Sequence, residues 1–378
     1  MNIAIIKNGA TVSFDSASIA VGEVLSIANV LAYQKDNTVS ILTKKLKKDN
    51  TGQKDNIFIK DINIEKEHIN DYDVLIMVNG AVNFFGGAED PLILNNYYCI
   101  SHFNKNIFYF LCDNRIPFTD MCLSKRKFYK DNPEKYNVSD YDISDKCINY
   151  ITQSFDVDGI KQLAKKNFNN IGAVEYFPFE MFPLFTASKD QLSSIKFNES
   201  PEYDILYGGT FRGGKREDDM VKFFFGYNED INVTMFGLKE DDFKKEKIKG
   251  LRPPMFEKLI PYSEYCNKMN SSLSTILIGD PSYKKYESMA QRAYESVLAL
   301  NVVFIDSSYD RHKKLFESEI LHKYCYVNSL KDVQKNLSLI KNDTELRKTI
   351  IRQQLKDVIN KFGSKEQYSN NLIKKLLV

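Results

Sequence analysis

The feature that most constrains this chain is a rhythm. Apolar runs of strand length alternate with helical stretches, and the rhythm starts over halfway along. In the first half Asn2–Lys7, Thr38–Thr43, Ile57–Ile62, Asp73–Asn79 (DVLIMVN), Ile107–Cys112 (IFYFLC), Ile148–Thr152 and Ala173–Phe177 read as strands. In the second half Tyr203–Tyr207, Ile231–Phe236, Thr275–Ile278, Asn301–Ile305 and Tyr324–Val327 do so. Helices are predicted from about Ser16 or Ser18 to Tyr33, up to Phe103, up to Phe225, over Tyr286–Leu300, and from Leu330 to the end. Strands that are nearly all apolar and alternate with helices belong to parallel sheets covered on both faces. A rhythm stated twice predicts an α/β protein of two such domains, and 378 residues suffice for both. The polar stretch Thr186–Pro201 is the predicted linker, and Gly363-Ser364 breaks the terminal helices.

Composition narrows the class. Hydrophobic residues at 43% and charged residues at 27% exclude a disordered tail, a collagen-like fibre and a small disulfide scaffold. No run approaches the roughly 18 apolar residues of a membrane span, and the first residues lack a basic segment followed by an apolar one, so the expected location is the cytoplasm. Six cysteines without a C-x-x-C pair and four scattered histidines argue against a zinc site and for reduced core thiols. The net charge of +2 does not diagnose a nucleic-acid partner. The choice of cation says more: 43 of the 52 basic residues are Lys and only nine are Arg. Where Lys serves wherever a positive charge suffices, the few Arg are candidates for planar, bidentate contacts.

Two of those nine, Arg212 and Arg216, lie in Tyr207–Glu217 (YGGTFRGGKRE), which joins a predicted strand to a predicted helix. Its four glycines let backbone approach a ligand, the following helix start favours an anion, and Arg212, Lys215 and Arg216 supply charge for a diphosphate. It is neither a Walker loop nor G-x-G-x-x-G, and a solvated turn is the alternative reading. Arg292 and Glu295 share a helix face, which suits a phosphate and a ribose or, equally, an intrahelical ion pair. Asp113 follows the run Phe108–Cys112 directly, where a carboxylate serves as a base or merely caps the next turn. Phe84 and Phe85, within Asn79–Gly87, fit a base stack or a loop core. Glu175 and Glu180 sit in the apolar stretch Ala173–Phe182, either paired or functional.

Together these stretches resemble the DNA β-glucosyltransferases of the T-even bacteriophages. The resemblance rests on Tyr72–Gly87 (YDVLIMVNGAVNFFGG), Phe110–Phe118 (FLCDNRIPF), Glu175–Glu180 (EYFPFE), Asp204–Phe225, Leu277–Tyr283 (LIGDPSY) and Arg292–Glu295 (RAYE), in the family's order. It implies an α/β fold of the GT-B type: two facing Rossmann-like domains with a cleft between them, and a C-terminal helix returning to the first. Residues 1–185 with 364–378 would form the acceptor, DNA-binding domain, and residues 200–363 the UDP-sugar domain. It implies an inverting transfer of glucose from UDP-glucose to the hydroxymethyl group of 5-hydroxymethylcytosine in double-stranded DNA, with the base flipped out. Mg²⁺ or Mn²⁺ would stimulate the reaction, no Asp-x-Asp stretch reads as dedicated to metal, and the enzyme would act as a monomer without a membrane.

Carried over by motif, the resemblance makes Asp113 the general base. Gly208, Gly209, Thr210, Arg212, Arg216 and Arg292 become the diphosphate site, Glu295 the ribose contact and Ile260 the uracil contact. Asp280 and Tyr283 complete the donor side, and Glu23 and Glu180 contact the sugar or steady the acceptor. Asn83, Phe84, Phe85 and Arg115 lie on the acceptor side. The chain departs from the family over Thr119–Lys146, has no tryptophan, and carries Tyr294 where the family has Trp. The alternatives are another sugar, 5-hydroxymethyluracil as acceptor, or a UDP-sugar transferase acting on a non-DNA saccharide.

Overall fold

The computed structural model describes residues 1–7, 12, 14, 19–43, 53–79, 94–111, 131, 134, 141–143, 145–165, 170–187, 197–209, 211 and 213–377. The chain divides into two compact units, Met1–Phe182 with Ser364–Val378, and Pro183–Gly363.

In the first unit the apolar runs form β1 (Asn2–Ile6), β2 (Thr38–Thr43), β3 (Gln53–Lys54), β4 (Ile57–Asp61), β5 (Val74–Asn79), β6 (Asn106–Leu111), β7 (Ile148–Thr152) and β8 (Ile171–Tyr176). They lie in the order β3-β4-β2-β1-β5-β6-β7-β8, parallel except for the short β3–β4 edge pair. Ile3 pairs with Val39 on one side and Val74 on the other. The chain therefore winds outward from β1 in both directions, leaving a switch point between β1 and β5. Ile3–Ile6 and Val74–Val78 are buried, as expected of strands covered on both faces.

The second unit repeats the plan with β9 (Tyr203–Gly208), β10 (Val233–Phe236), β11 (Met255–Glu257), β12 (Ser272–Leu277), β13 (Val302–Asp306) and β14 (Tyr326–Val327). The order is β11-β10-β9-β12-β13-β14, with every ladder parallel. Here the first strand of the unit is β9, and the switch point lies between β9 and β12. In open α/β sheets ligands bind outside the carboxyl ends of the strands at such a point. The loop singled out by its glycines and cations begins there.

The last helix, Lys365–Leu376, belongs to the first unit. Ser364 and Gln367 close a capping box at its start, after Gly363 at φ +70° ends the preceding helix. Ser369 Oγ donates to the Val30 carbonyl at 2.7 Å, Tyr368 Oη donates to the Pro178 carbonyl at 2.8 Å, and Lys375 pairs with Glu175 at 2.8 Å.

Three local expectations need correction. The stretch Tyr286–Leu300 is not one helix: Pro281–Tyr286 and Gln291–Leu298 are separate, and Glu287 between them is left-handed at φ +50°. Its carboxylate is buried and accepts from His312 Nδ1 at 2.5 Å and from Lys314 Nζ at 3.5 Å, a set of tertiary bonds that holds the break. The strand expected over Tyr324–Val327 starts only at Tyr326, because Glu319–Tyr324 is helical. Among the cysteines, Cys99 and Cys325 are buried free thiols, with burial pushing the Cys99 thiol up to about 12, but Cys147 is exposed and so is no core thiol. Cys112 and Cys122 lie outside the described residues. Among the described residues, no helix is long and apolar enough to cross a membrane.

Candidate functional site

The site in the second unit is built around the end of β9. This strand is buried throughout, so the Tyr207 hydroxyl must find a partner inside the protein. Arg216 Nη2 donates to it at 2.7 Å, and Arg216 Nη1 donates to Asp280 Oδ2 at 3.1 Å. The Arg292 guanidinium lies over the Tyr207 ring, 4.7 Å from its centre. Phe224 packs against the same ring at 4.9 Å. Two guanidiniums thus meet on one phenol at the carboxyl end of the central strand.

Each of these groups is placed by its own element. Gly214, at φ +73°, starts the helix Lys215–Phe224 without a side-chain cap, leaving first-turn donors for an outside acceptor. Arg216 rides on that first turn. Asp280 precedes the helix Pro281–Tyr286 at the N-cap position, yet its side chain makes no capping bond and reaches Arg216 instead. Arg292 and Glu295 rise from the helix Gln291–Leu298, whose entry is held by a bond from the Ala290 N–H to Tyr309 Oη at 2.8 Å. Lys284 ties three elements together, reaching Asp219 at 2.6 Å and Asp306, at the end of β13, at 2.7 Å.

Glycine is required at the floor. A Cβ on Gly208 would lie 2.3 Å from the Tyr265 ring. One on Gly209 would lie 3.3 Å from both Arg292 Nη2 and Tyr207 Oη, so the open side of the arginine pair faces the Gly209 backbone.

The electrostatics agree with this geometry. Burial works against the charge of Arg292, but Tyr207, Tyr265 and Glu295 outweigh it and hold the guanidinium above its ordinary pKa. Burial would raise the Tyr207 hydroxyl, yet Arg292 and Arg216 hold it below the usual tyrosine range. Arg216, only 12% exposed, keeps a buried Nε–H with no partner among the described residues. An unpaired buried donor costs about 1–3 kcal/mol; an anion seated at the end of β9 would satisfy it.

The structure therefore brings together Gly208, Gly209, Arg216, Asp280 and Arg292, with Glu295 one turn along from Arg292. Ile260 packs against the cluster Tyr203, Leu206, Phe236, Tyr265 and Met269 on the β10 side. Tyr283 lies partly buried on the helix after Asp280. Thr210, Arg212, Asp113, Arg115, Asn83, Phe84 and Phe85 lie outside the described residues, as do the side chains of Glu23 and Glu180. Among the described residues, no group of three or more His, Cys, Asp and Glu side chains could hold a metal ion. The residue that motif reading missed is Tyr207. Its signal was present: a hydroxyl at the end of a buried strand, directly before two glycines.

Comparison with known proteins adds to this. Residues 1–183 match the family described as bacteriophage T4 beta-glucosyltransferase. The DNA beta-glucosyltransferase of Enterobacteria phage T4 is 29% identical over 316 residues, covering 82% of this chain and 84% of the relative. Two crystal structures of the T4 phage enzyme, one with its UDP-glucose substrate and one with UDP and Mn²⁺, superpose over the full length of both chains. Their TM-scores are 0.79 and 0.77, at 24% and 25% identity.

Proposed function

From the family match over residues 1–183 and the 29% identity to the T4 DNA beta-glucosyltransferase, we propose that the chain is a UDP-glucose-dependent DNA glycosyltransferase of that family. Its reaction moves glucose, with inversion, onto the hydroxymethyl group of 5-hydroxymethylcytosine in duplex DNA. The observation that carries this reading is the arginine pair on Tyr207 at the switch point of the second sheet, with an Arg216 Nε–H that has no partner among the described residues beside a glycine floor. Such a pair suits a diphosphate, whose β-phosphate gains charge as the sugar leaves.

In the proposed reaction the acceptor oxygen forms a bond to the anomeric carbon as the bond from that carbon to the β-phosphate oxygen breaks. Asp113 takes the hydroxyl proton, a step worth typically 10²–10⁴-fold. Arg212, Arg216 and Arg292, with the backbone of Gly208, Gly209 and Thr210, receive the charge of departing UDP. Glu295 holds the ribose, Ile260 borders the uracil, and Asp280 and Tyr283 stand on the donor side. Glu23 and Glu180 hold the sugar or steady the acceptor. Asn83, Phe84, Phe85 and Arg115 receive the extruded nucleotide, since a stacked base cannot present its hydroxymethyl group to a deep site. A divalent cation is an expected stimulant; the described residues offer no cage for one, so no step is assigned to it.

The test is to incubate the protein with UDP-[¹⁴C]glucose and duplexes carrying cytosine, 5-hydroxymethylcytosine or 5-hydroxymethyluracil. Label is expected on the 5-hydroxymethylcytosine duplex alone, and Asp113→Asn should lower the rate at least a hundredfold while UDP and DNA affinities stay within about twofold. Label on no duplex would refute the DNA acceptor, and an unchanged Asp113→Asn rate would remove that residue as the base.

A further inference from the structure

Tyr207 has no part in the reaction as written above, yet two of the arginines assigned to the diphosphate, Arg216 and Arg292, converge on it. Its hydroxyl is fully buried and accepts from Arg216 Nη2 at 2.7 Å, while its ring carries the Arg292 guanidinium at 4.7 Å. Two like charges do not settle side by side in a buried site unless something between them answers both. Here the hydroxyl oxygen answers Arg216 and, with the π-face, Arg292 as well. Asp280 holds the second arm of Arg216 at 3.1 Å, and Phe224 fixes the ring from its other neighbour at 4.9 Å.

We propose that Tyr207 is a positioning residue that keeps Arg216 and Arg292 as one preorganised pair for the diphosphate of a nucleoside diphosphate sugar; this rests on the reading of the site given above. Arginine side chains left to themselves must be ordered when the anion arrives, which weakens binding, and a clamp ordered in advance avoids that loss. The arrangement also explains why the residue after Gly208 carries no side chain. A Cβ on Gly209 would press at 3.3 Å on Tyr207 Oη and Arg292 Nη2 together.

The experiment is Tyr207→Phe, which keeps the ring and deletes the oxygen, titrated calorimetrically with UDP and with uridine. UDP affinity should fall about tenfold and uridine affinity by less than twofold. In an Arg216→Ala background, adding Tyr207→Phe should lower UDP affinity by clearly less than the tenfold seen alone, because one of the two groups it positions is gone. Equal weakening of UDP and uridine would assign Tyr207 a general packing role and overturn the proposal. Unchanged UDP affinity in Tyr207→Phe, alongside a clear loss in Arg216→Ala, would overturn it while leaving the nucleotide site intact. No UDP binding by the unaltered protein would overturn the nucleotide reading itself, and this proposal with it.

Discussion

Single atoms decide most of what happens at the end of β9. A Cβ at Gly209 would push Arg292 Nη2 and Tyr207 Oη aside by a few tenths of an ångström, so Gly209→Ala should weaken UDP binding about tenfold with little change in melting temperature, a split that calorimetry and a thermal melt read separately. Gly237 is a different case. Its φ of +81° strains any other residue, and a Cβ there would sit 2.7 Å from the Gly209 carbonyl. Gly237→Ala should therefore cost stability as well, by at least about 1–2 kcal/mol in urea unfolding. The sequence announced part of this scale. Four glycines and three cations at a strand–helix junction pointed to Arg216 before any fold was known. What it could not announce was the company Arg216 keeps: Asp280 is 64 residues away, and only the parallel pairing of β9 with β12 makes them neighbours.

Buried ion pairs connect the elements around the site. Lys284 joins the helix after β9 to the end of β13 through Asp219 and Asp306. Glu217, buried on the same helix as Arg216, accepts the Lys244 N–H at 2.8 Å and Lys247 Nζ at 2.9 Å. For both Asp306 and Glu217 burial pushes the carboxyl up, but the lysines and hydrogen bonds prevail and hold it below its ordinary value. A carboxyl lowered by folding stabilises the fold above its unfolded pKa of about 4 and loses that contribution as pH falls through the folded value. Asp219, raised by burial, works in the opposite sense. The urea midpoint should therefore fall between about pH 5 and pH 3. In the double variant Asp306→Asn, Glu217→Gln it should start lower at pH 6 and depend less on pH. A midpoint profile as steep as that of the unaltered protein would contradict this. Strands were legible at this scale because Ile3–Ile6 of β1 and Val74–Val78 of β5 are unbroken apolar runs, and the split of Tyr286–Leu300 was not, because the left-handed Glu287 is held by His312 and Lys314 from a distant loop.

At the scale of the whole chain, the sequence showed two α/β units from its repeated rhythm and a break at Gly363, while the place of the last helix came from resemblance. That helix spends its apolar face on the first unit, where Leu372 and Leu376 are fully buried. Leu372→Ala should cost about 2–5 kcal/mol of stability, read as a lowered urea midpoint. A change under about half a kcal/mol would mean that the helix is not held where it lies. The proposed acceptor-side residues, Asp113 foremost, rest on their motifs alone, because nothing in local spacing distinguishes a base from a cap. Sequence, geometry and electrostatics bear together on the proposed donor site, and a crystal structure of the protein with UDP tests it most directly. The diphosphate should lie at the carboxyl ends of β9 and β12, within hydrogen-bond distance of Arg216 and Arg292, with the uracil beside Ile260. A nucleotide bound elsewhere, with the arginine pair untouched, would contradict the account.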